Sequence, residues 1–345
     1  EKACQKQKQK FSSSAVYPGC GYVEVMDALV EQVMEPQRVQ PRSVNIETFA
    51  WGYNGEDKLQ GMSEMLQKMG ITVNAYLPAA DLQTIKKAPR AALNIVRRKK
   101  WALAMEQRFG TPFLHVADMQ EWHGIEGISD LYRQIGKMLG CENAVERVLQ
   151  EEYERVAARY QELGADFAKY KFCLIAHGIA YLPDALRVYQ QDYGLPITKI
   201  CIIMNPSYQA ETGLDDAMMQ RFKDRIELAK AEYGCDAEIL LEPSEDALRE
   251  AAQSCDFVIC NGHPRYAALD VPVLYNLFDR SVWSYQGFVD IMEEVWQMLQ
   301  QPQRTGSNLL LSKLAYDPVF YPMREADKDS KASRELYSRV WRQRK

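Results

Sequence analysis

The chain has 345 residues, 47% of them apolar, enough for two domains with a core each. Its formal charge of -5 gives no support for a role on nucleic acid or an anionic membrane surface, which would favour a basic face. No apolar run reaches the roughly 18–20 residues that span a bilayer, and the opening Glu1-Lys2-Ala3-Cys4 has no hydrophobic signal core. A cytoplasmic protein is expected. Because that opening lacks an initiating Met, processing or truncation of an upstream segment is expected too.

Residues 1–20 read as an irregular lead-in. A helix is predicted over 22–34, with Val25, Leu29, Val30 and Val33 on one face. Pro36 and Pro41 mark a break before a strand over 43–50, which runs into Trp51-Gly52-Tyr53-Asn54-Gly55. The next helix places Leu59, Met62, Leu66 and Met69 on one face and stops at Gly70. Strands are predicted over 71–76, 93–96 and 112–116, with helices over 99–109 and 128–139. From 141 to 170 the pattern stays helical without proline, long enough to join two domains. Beyond it strands are expected at 172–176, 199–204, 238–241 and 256–260, and helices at 183–193, 214–233, 244–253 and 285–299. Strands alternating with helices of this length argue for an α/β fold of two Rossmann-like domains with parallel sheets covered on both faces. The expected division is 1–141, a linking helix over 142–170, 171–300, and a polar, charged tail over 301–345.

The eight cysteines contain no Cys-x-x-Cys pair. Cys173, Cys201 and Cys260 lie in apolar, strand-like runs and read as reduced structural thiols. Cys4 and Cys20 lie in polar surroundings rich in Gly and Ser, where a thiolate is reachable by a metal or a partner.

In open parallel sheets the ligand crevice lies at the carboxyl ends of the strands. That rule selects Tyr53 and Asn54 after the first strand, and His115 and Asp118 after the fourth. It also selects His177 and Gly178, Asn205, and the group Asn261, Gly262, His263 and Arg265. Imidazoles at strand ends suit a metal or a carboxylate-bearing ligand, although no His-x-x-x-His spacing occurs. Arg97, Arg98, Lys99 and Lys100 form a basic cluster where a helix begins. There amides and cations together make an anion site, open to a ligand or to an acidic partner face, or else simply a solvated helix start. There is neither a phosphate-binding Gly-x-x-x-x-Gly-Lys-Ser/Thr loop nor a Gly-x-Ser-x-Gly elbow.

Four segments together resemble the nitrogenase component 1 family. They are Gly52-Tyr53-Asn54 with a helix ending Met69-Gly70-Ile71; Leu93-Asn94-Ile95-Val96; Phe109-Gly110-Thr111-Pro112-Phe113 followed by Gly124-Ile125-Glu126-Gly127-Ile128; and Asp256-Phe257-Val258-Ile259 followed by Val271-Pro272-Val273 and Tyr285-Gln286-Gly287-Phe288. The resemblance implies two Rossmann-like domains with a substrate cleft between them, and a homodimer or a pairing with a related component 1 subunit. It implies electrons delivered by an ATP-dependent iron–sulfur reductase through an iron–sulfur cluster, of the 4Fe-4S type; Cys20, which matches no ligand position of the family, and Cys4 are this chain's local candidates for its ligands. The sequence departs from the family at the cofactor cysteine. That place falls on Arg98 when aligned on the preceding strand and on Asn94 when aligned on Gly110-Thr111-Pro112, while the cofactor histidine falls near Leu274. No iron–molybdenum cofactor is therefore expected. Asn94, Arg97 and Arg98 join the cleft candidates, and basic residues there suit an anionic organic substrate. A non-catalytic carrier binding a metal cofactor or chelate between two such domains is the alternative.

Overall fold

The computed structural model describes residues 18–48, 55–116, 122–177, 182–203, 215–260, 266, 269, 271–275 and 283–300; the side chains of 18–23, 55–58, 177 and 275 lie outside the described residues. The described chain divides into two compact units, with boundaries at 154/155, 280/281 and 285/286. Each unit contains one fully parallel sheet.

The first unit runs α1 (Pro18–Gln32), β1 (Gln40–Glu47), α2 (Gly55–Lys68), β2 (Thr72–Leu77), α3 (Leu82–Lys86) and β3 (Ala91–Val96). It continues with α4 (Lys99–Phe109), β4 (Phe113–His115), α5 (Gly124–Leu139) and the start of α6 (Glu142–Phe167). Its strand order is β2-β1-β3-β4. The continuous burial of β1 from Ser43 to Glu47 and of β3 from Leu93 to Val96 marks strands covered on both faces. On one side Met26 and Val30 of α1, and Met34 just after it, pack with Trp101, Ala102 and Met105 of α4. In α2, Leu59, Met62, Met65 and Leu66 are buried, as the sequence spacing requires. Gly70, at φ +75°, takes the left-handed conformation that follows the helix.

Several boundaries differ from the sequence-based expectation. β1 starts at Gln40 because Pro41 sits where the pairing with β3 is irregular and Arg42 adopts φ +51°, so no ladder bond is demanded of the proline. The helix α1 begins at Pro18, since proline is tolerated in a first turn. A short helix, α3, was not foreseen; Asp81 caps it by accepting the amides of Gln83 (2.8 Å) and Thr84 (3.0 Å).

The hairpin between α5 and α6 closes at Gly140, and the Cys141 amide donates to the Gly136 carbonyl at 2.9 Å. A Cβ placed on Gly136 would meet Val145 Cγ2 at 2.7 Å. Val145 is fully buried and stiff at χ1. Gly136→Ala is expected to destabilise the chain by about 1–3 kcal/mol through overpacking, read as a lower denaturant midpoint. An unchanged midpoint would show that the hairpin relaxes freely.

The second unit takes up α6 and continues with β5 (Phe172–His177), α7 (Leu182–Leu186), β6 (Ile197–Ile203), α8 (Asp216–Glu232) and β7 (Glu238–Leu241). It ends with α9 (Glu245–Gln253), β8 (Phe257–Cys260), β9 (Val273–Tyr275) and α10 (Tyr285–Gln300). Its strand order is β7-β6-β5-β8-β9. Cys173, Ile175, Cys201, Ile203, Val258 and Cys260 pack against Leu248, Ala251 and Ala252 of α9. Within this unit Arg159 of α6 grips Glu293 of α10 with two bonds, Nε–Oε1 at 2.5 Å and Nη2–Oε2 at 2.8 Å. The helix predicted over 183–193 is interrupted, since α7 gives way to a π-helical turn, Arg187–Asp192. β9 was not foreseen either; its run is short, and it is defined by pairing beside β8. The predicted tail over 301–345 lies outside the described residues.

Candidate functional site at the carboxyl edge of the first sheet

β1 leads outward to β2 on one side, while β3, its other neighbour, leads outward to β4. The order reverses between β1 and β3, so the loops leaving these two strands diverge, the position where open α/β sheets bind ligands. β1 ends there in Glu47, and β3 in Val96 followed by Arg97 and Arg98.

Glu47 has no exposed surface. Its Oε2 accepts the amides of Arg97 (2.9 Å) and Arg98 (3.1 Å) and the indole Nε1–H of Trp101 (3.3 Å). The Arg98 side chain makes no capping bond to α4. The helix is capped instead by a carboxylate from another strand, placed where the peptide dipoles favour negative charge. Burial nevertheless outweighs these donors and holds the Glu47 carboxyl above its ordinary pKa. Oε1 is buried without a hydrogen-bond partner. Protonated, this carboxyl has one O–H to donate; ionised, it has an unsatisfied acceptor.

The same turn is held from the far edge of the sheet. His115 Nε2–H donates to the Arg97 carbonyl at 3.0 Å, and burial lowers the imidazole pKa, so the ring is neutral at pH 7. The cationic helix start is also balanced, because Lys100 pairs with Asp27 (2.5 Å) and Glu24 (3.3 Å) of α1.

Two residues before Glu47 along β1, a buried polar ladder crosses the strands. Asn45 Nδ2 donates to Asn94 Oδ1 (2.8 Å) and to the Ala88 carbonyl (2.9 Å), and Asn74 Nδ2 donates to Asn45 Oδ1 (2.8 Å). Asn94 Nδ2 reaches Met105 Sδ at 3.4 Å. Both ends of the Asn94 amide are thus used inside the unit, which makes it a registry residue between strands.

Of the residues selected from the sequence, Asn94, Arg97, Arg98 and His115 come together at this edge. The helix start, which reads from sequence either as an anion site or as a solvated start, has its Arg97 and Arg98 amides taken from within the unit by Glu47. Glu47 itself was missed. Its signal was an acidic residue closing an apolar strand, in phase with Asn45. In the second unit His177 ends β5, beside the corresponding reversal between β5 and β8; its side chain lies outside the described residues. So do Tyr53, Asn54, Asp118, Gly178, Asn205, Asn261, Gly262, His263, Arg265 and Cys4, and the side chain of Cys20. His123 is 2% exposed and precedes α5 as its N-cap.

Among the described residues, no group of three or more His, Cys, Asp or Glu side chains is arranged to hold a metal ion. The described thiols are all buried. The described residues therefore do not fit an iron–sulfur cluster. No described helix is long and apolar enough to cross a membrane.

The sequence pattern of the family described as Nitrogenase component 1 type Oxidoreductase matches residues 19–300. The chain belongs to this family. It is similar to a light-independent protochlorophyllide reductase subunit from Zygnema circumcarinatum, 31% identical over 99 residues, which are 27% of this chain and 18% of that protein. The equivalent protein from Synechococcus elongatus is 30% identical over 114 residues, 31% of this chain and 22% of its own. These matches thus take in about a fifth of the curated relatives' length. Among solved structures, nitrogenase Cp1 at pH 5 aligns with a TM-score of 0.56 at 16% identity, over 89% of this chain and 65% of the other. That likeness shows a nitrogenase component 1 fold, in agreement with the two parallel sheets.

Proposed function

We propose that this nitrogenase component 1-type chain is a subunit of a reductase that receives electrons from a separate ATP-dependent iron–sulfur reductase and reduces a small anionic organic substrate. The family match over 19–300 carries the reading, and the similar curated proteins are named as reductase subunits. The chemistry of the strand ends supports an organic substrate. Where the resemblance puts the cofactor cysteine, the chain has either Asn94, whose amide is used within the unit, or Arg98, whose amide is held by Glu47. Neither offers a thiolate to a metal cluster. The Arg97 and Arg98 guanidiniums bring positive charge suited to a carboxylate. An iron–sulfur cluster serving this protein, of the 4Fe-4S type by analogy, would take its ligands from beyond the described residues, with Cys4 and Cys20 this chain's candidates. The working unit would be a homodimer or a pair with a related component 1 chain.

The test combines the anaerobically purified, full-length protein with a reduced nitrogenase-type iron protein and MgATP, and follows oxidation of the iron protein together with the iron content of the chain. Chain-dependent, ATP-dependent oxidation is expected. An iron-free chain that leaves the oxidation rate unchanged would sink the reductase reading. Tight binding of a metal chelate by the same iron-free protein would point to a carrier instead.

A further inference from the structure

The amino edge of the first sheet, at the opposite ends of the strands from the candidate site, gathers cations that the reductase reading leaves unused. Arg38 and Arg42 lie just before and within β1. Lys87 precedes, and Arg90 closes, the 3₁₀ turn Ala88–Arg90 that leads into β3. The parallel pairing of Gln40 with Ala91 sets these two strand starts side by side. The segment after α1 joins them, since the Glu35 amide donates to the Lys86 carbonyl at 3.0 Å. Arg38, Arg42, Lys87 and Arg90 are all exposed, and Val39 among them is 48% exposed. Lys86 pairs with Glu35 at 3.5 Å, whereas the other four make no ion pair among the described residues.

We propose that this edge is a docking surface for an acidic segment of a partner protein. Local structure does not account for the cluster. A helix carboxyl terminus favours a cation, which explains Lys86 in the last turn of α3, but Arg38 and Arg42 lie on no helix. Four neighbouring like charges repel one another, so they add nothing to the stability of the fold. They are of use to a binding partner of opposite charge, which they steer and orient.

Three of the four are arginines, whose planar fork pairs bidentately with carboxylates, and arginine is enriched at protein interfaces where lysine is depleted. The exposed Val39 gives an apolar side chain of a peptide something to cover, which a bare phosphate backbone cannot use. The formal charge of -5 on the whole chain opposes a long polyanion or an anionic membrane, which would have to approach far more than this edge. A short acidic segment meets the patch alone. The docking role stands whether or not the chain is a reductase.

The test measures binding of a fluorescein-labelled, Glu-rich peptide to the full chain at low salt by fluorescence anisotropy. Saturable binding is expected, weakened about tenfold by Arg38→Glu with Arg90→Glu. Arg221→Glu with Arg225→Glu changes the net charge equally on exposed residues of α8 and should leave affinity nearly unchanged. A carbodiimide, which couples carboxylates to adjacent amines, reads the unsubstituted chain and so does not depend on how the variants fold. It should join the peptide to Lys86 or Lys87, as mapped by mass spectrometry. Coupling confined to other lysines, equal weakening by both variant pairs, or no binding would overturn the proposal. So would tighter binding of duplex DNA or phosphatidylserine vesicles, or self-association in sedimentation that Arg38→Glu with Arg90→Glu abolishes, which would assign the edge to a second copy of the chain.

Discussion

Glu47→Ala is expected to destabilise the chain by roughly 2–3 kcal/mol, because it takes the shared acceptor from two part-buried backbone amides and a buried indole N–H. The loss should be local to the turn at Arg97 and Arg98, since Oε2 of Glu47 is the group that caps α4. Hydrogen exchange at those amides should accelerate before global unfolding does. Glu47→Gln separates hydrogen bonding from charge. Its carbonyl oxygen still accepts the donors, but it cannot ionise. The Glu47 pKa is raised in the folded state, so its favourable contribution is full below the ordinary carboxylate pKa and is lost as pH rises through the folded value. The stability of Glu47→Gln relative to the unsubstituted chain should therefore grow between acid and neutral pH. Denaturant titrations at about pH 4.5 and 8 would measure this, and a gap that narrows with rising pH would show that the carboxylate form is the favoured one. If this turn also positions substrate, both variants should alter turnover in the reductase assay, with Gln retaining more activity than Ala.

A second large effect is expected in the other unit. The π-helical turn Arg187–Asp192 brings residues five apart onto one face, and the Tyr193 amide donates to the Val188 carbonyl at 2.9 Å in the same spacing. Arg187 Nη1 donates to Asp192 Oδ2 at 2.9 Å, with the two side chains 11% and 5% exposed. Asp192→Ala removes the carboxylate facing a buried guanidinium and should cost about 3–5 kcal/mol. Replacing both partners, as in Arg187→Met with Asp192→Leu, should recover most of that loss if the cost lies in the charge left behind. A double variant as unstable as the single one would locate the cost in the turn's geometry instead. Because a π turn adds one residue to the helical repeat, the pair also fixes which residues follow on the buried side, Tyr193 among them.

The sequence by itself determined the alternation of strands and helices, the parallel character of both sheets and membership in the family. These follow from local signals, such as the Leu59, Met62, Leu66 series, the continuous apolar runs of buried strands, and motifs whose order survives divergence. A break in that periodicity was harder to foresee. Nothing in a helical pattern over 183–193 announces a π turn, whose ends Arg187 and Asp192 meet in a buried ion pair. β9 is three residues long and gains its identity from neighbouring β8, and β1 extends back through Pro41 only because the pairing there is irregular. The candidate site shows the same divide. The rule that ligands gather at strand ends selected His115, the basic cluster and the family resemblance added Asn94, Arg97 and Arg98, and the basic helix start reads from sequence either as an anion site or as a solvated start. Tertiary structure decided that the acceptor there is the Glu47 carboxyl, some fifty residues earlier in the chain, and that Asn94 is used for register. Periodicity is written in neighbours three or four apart, but which carboxylate meets which helix end depends on strand register. Register is fixed only when β1 and β3 lie side by side.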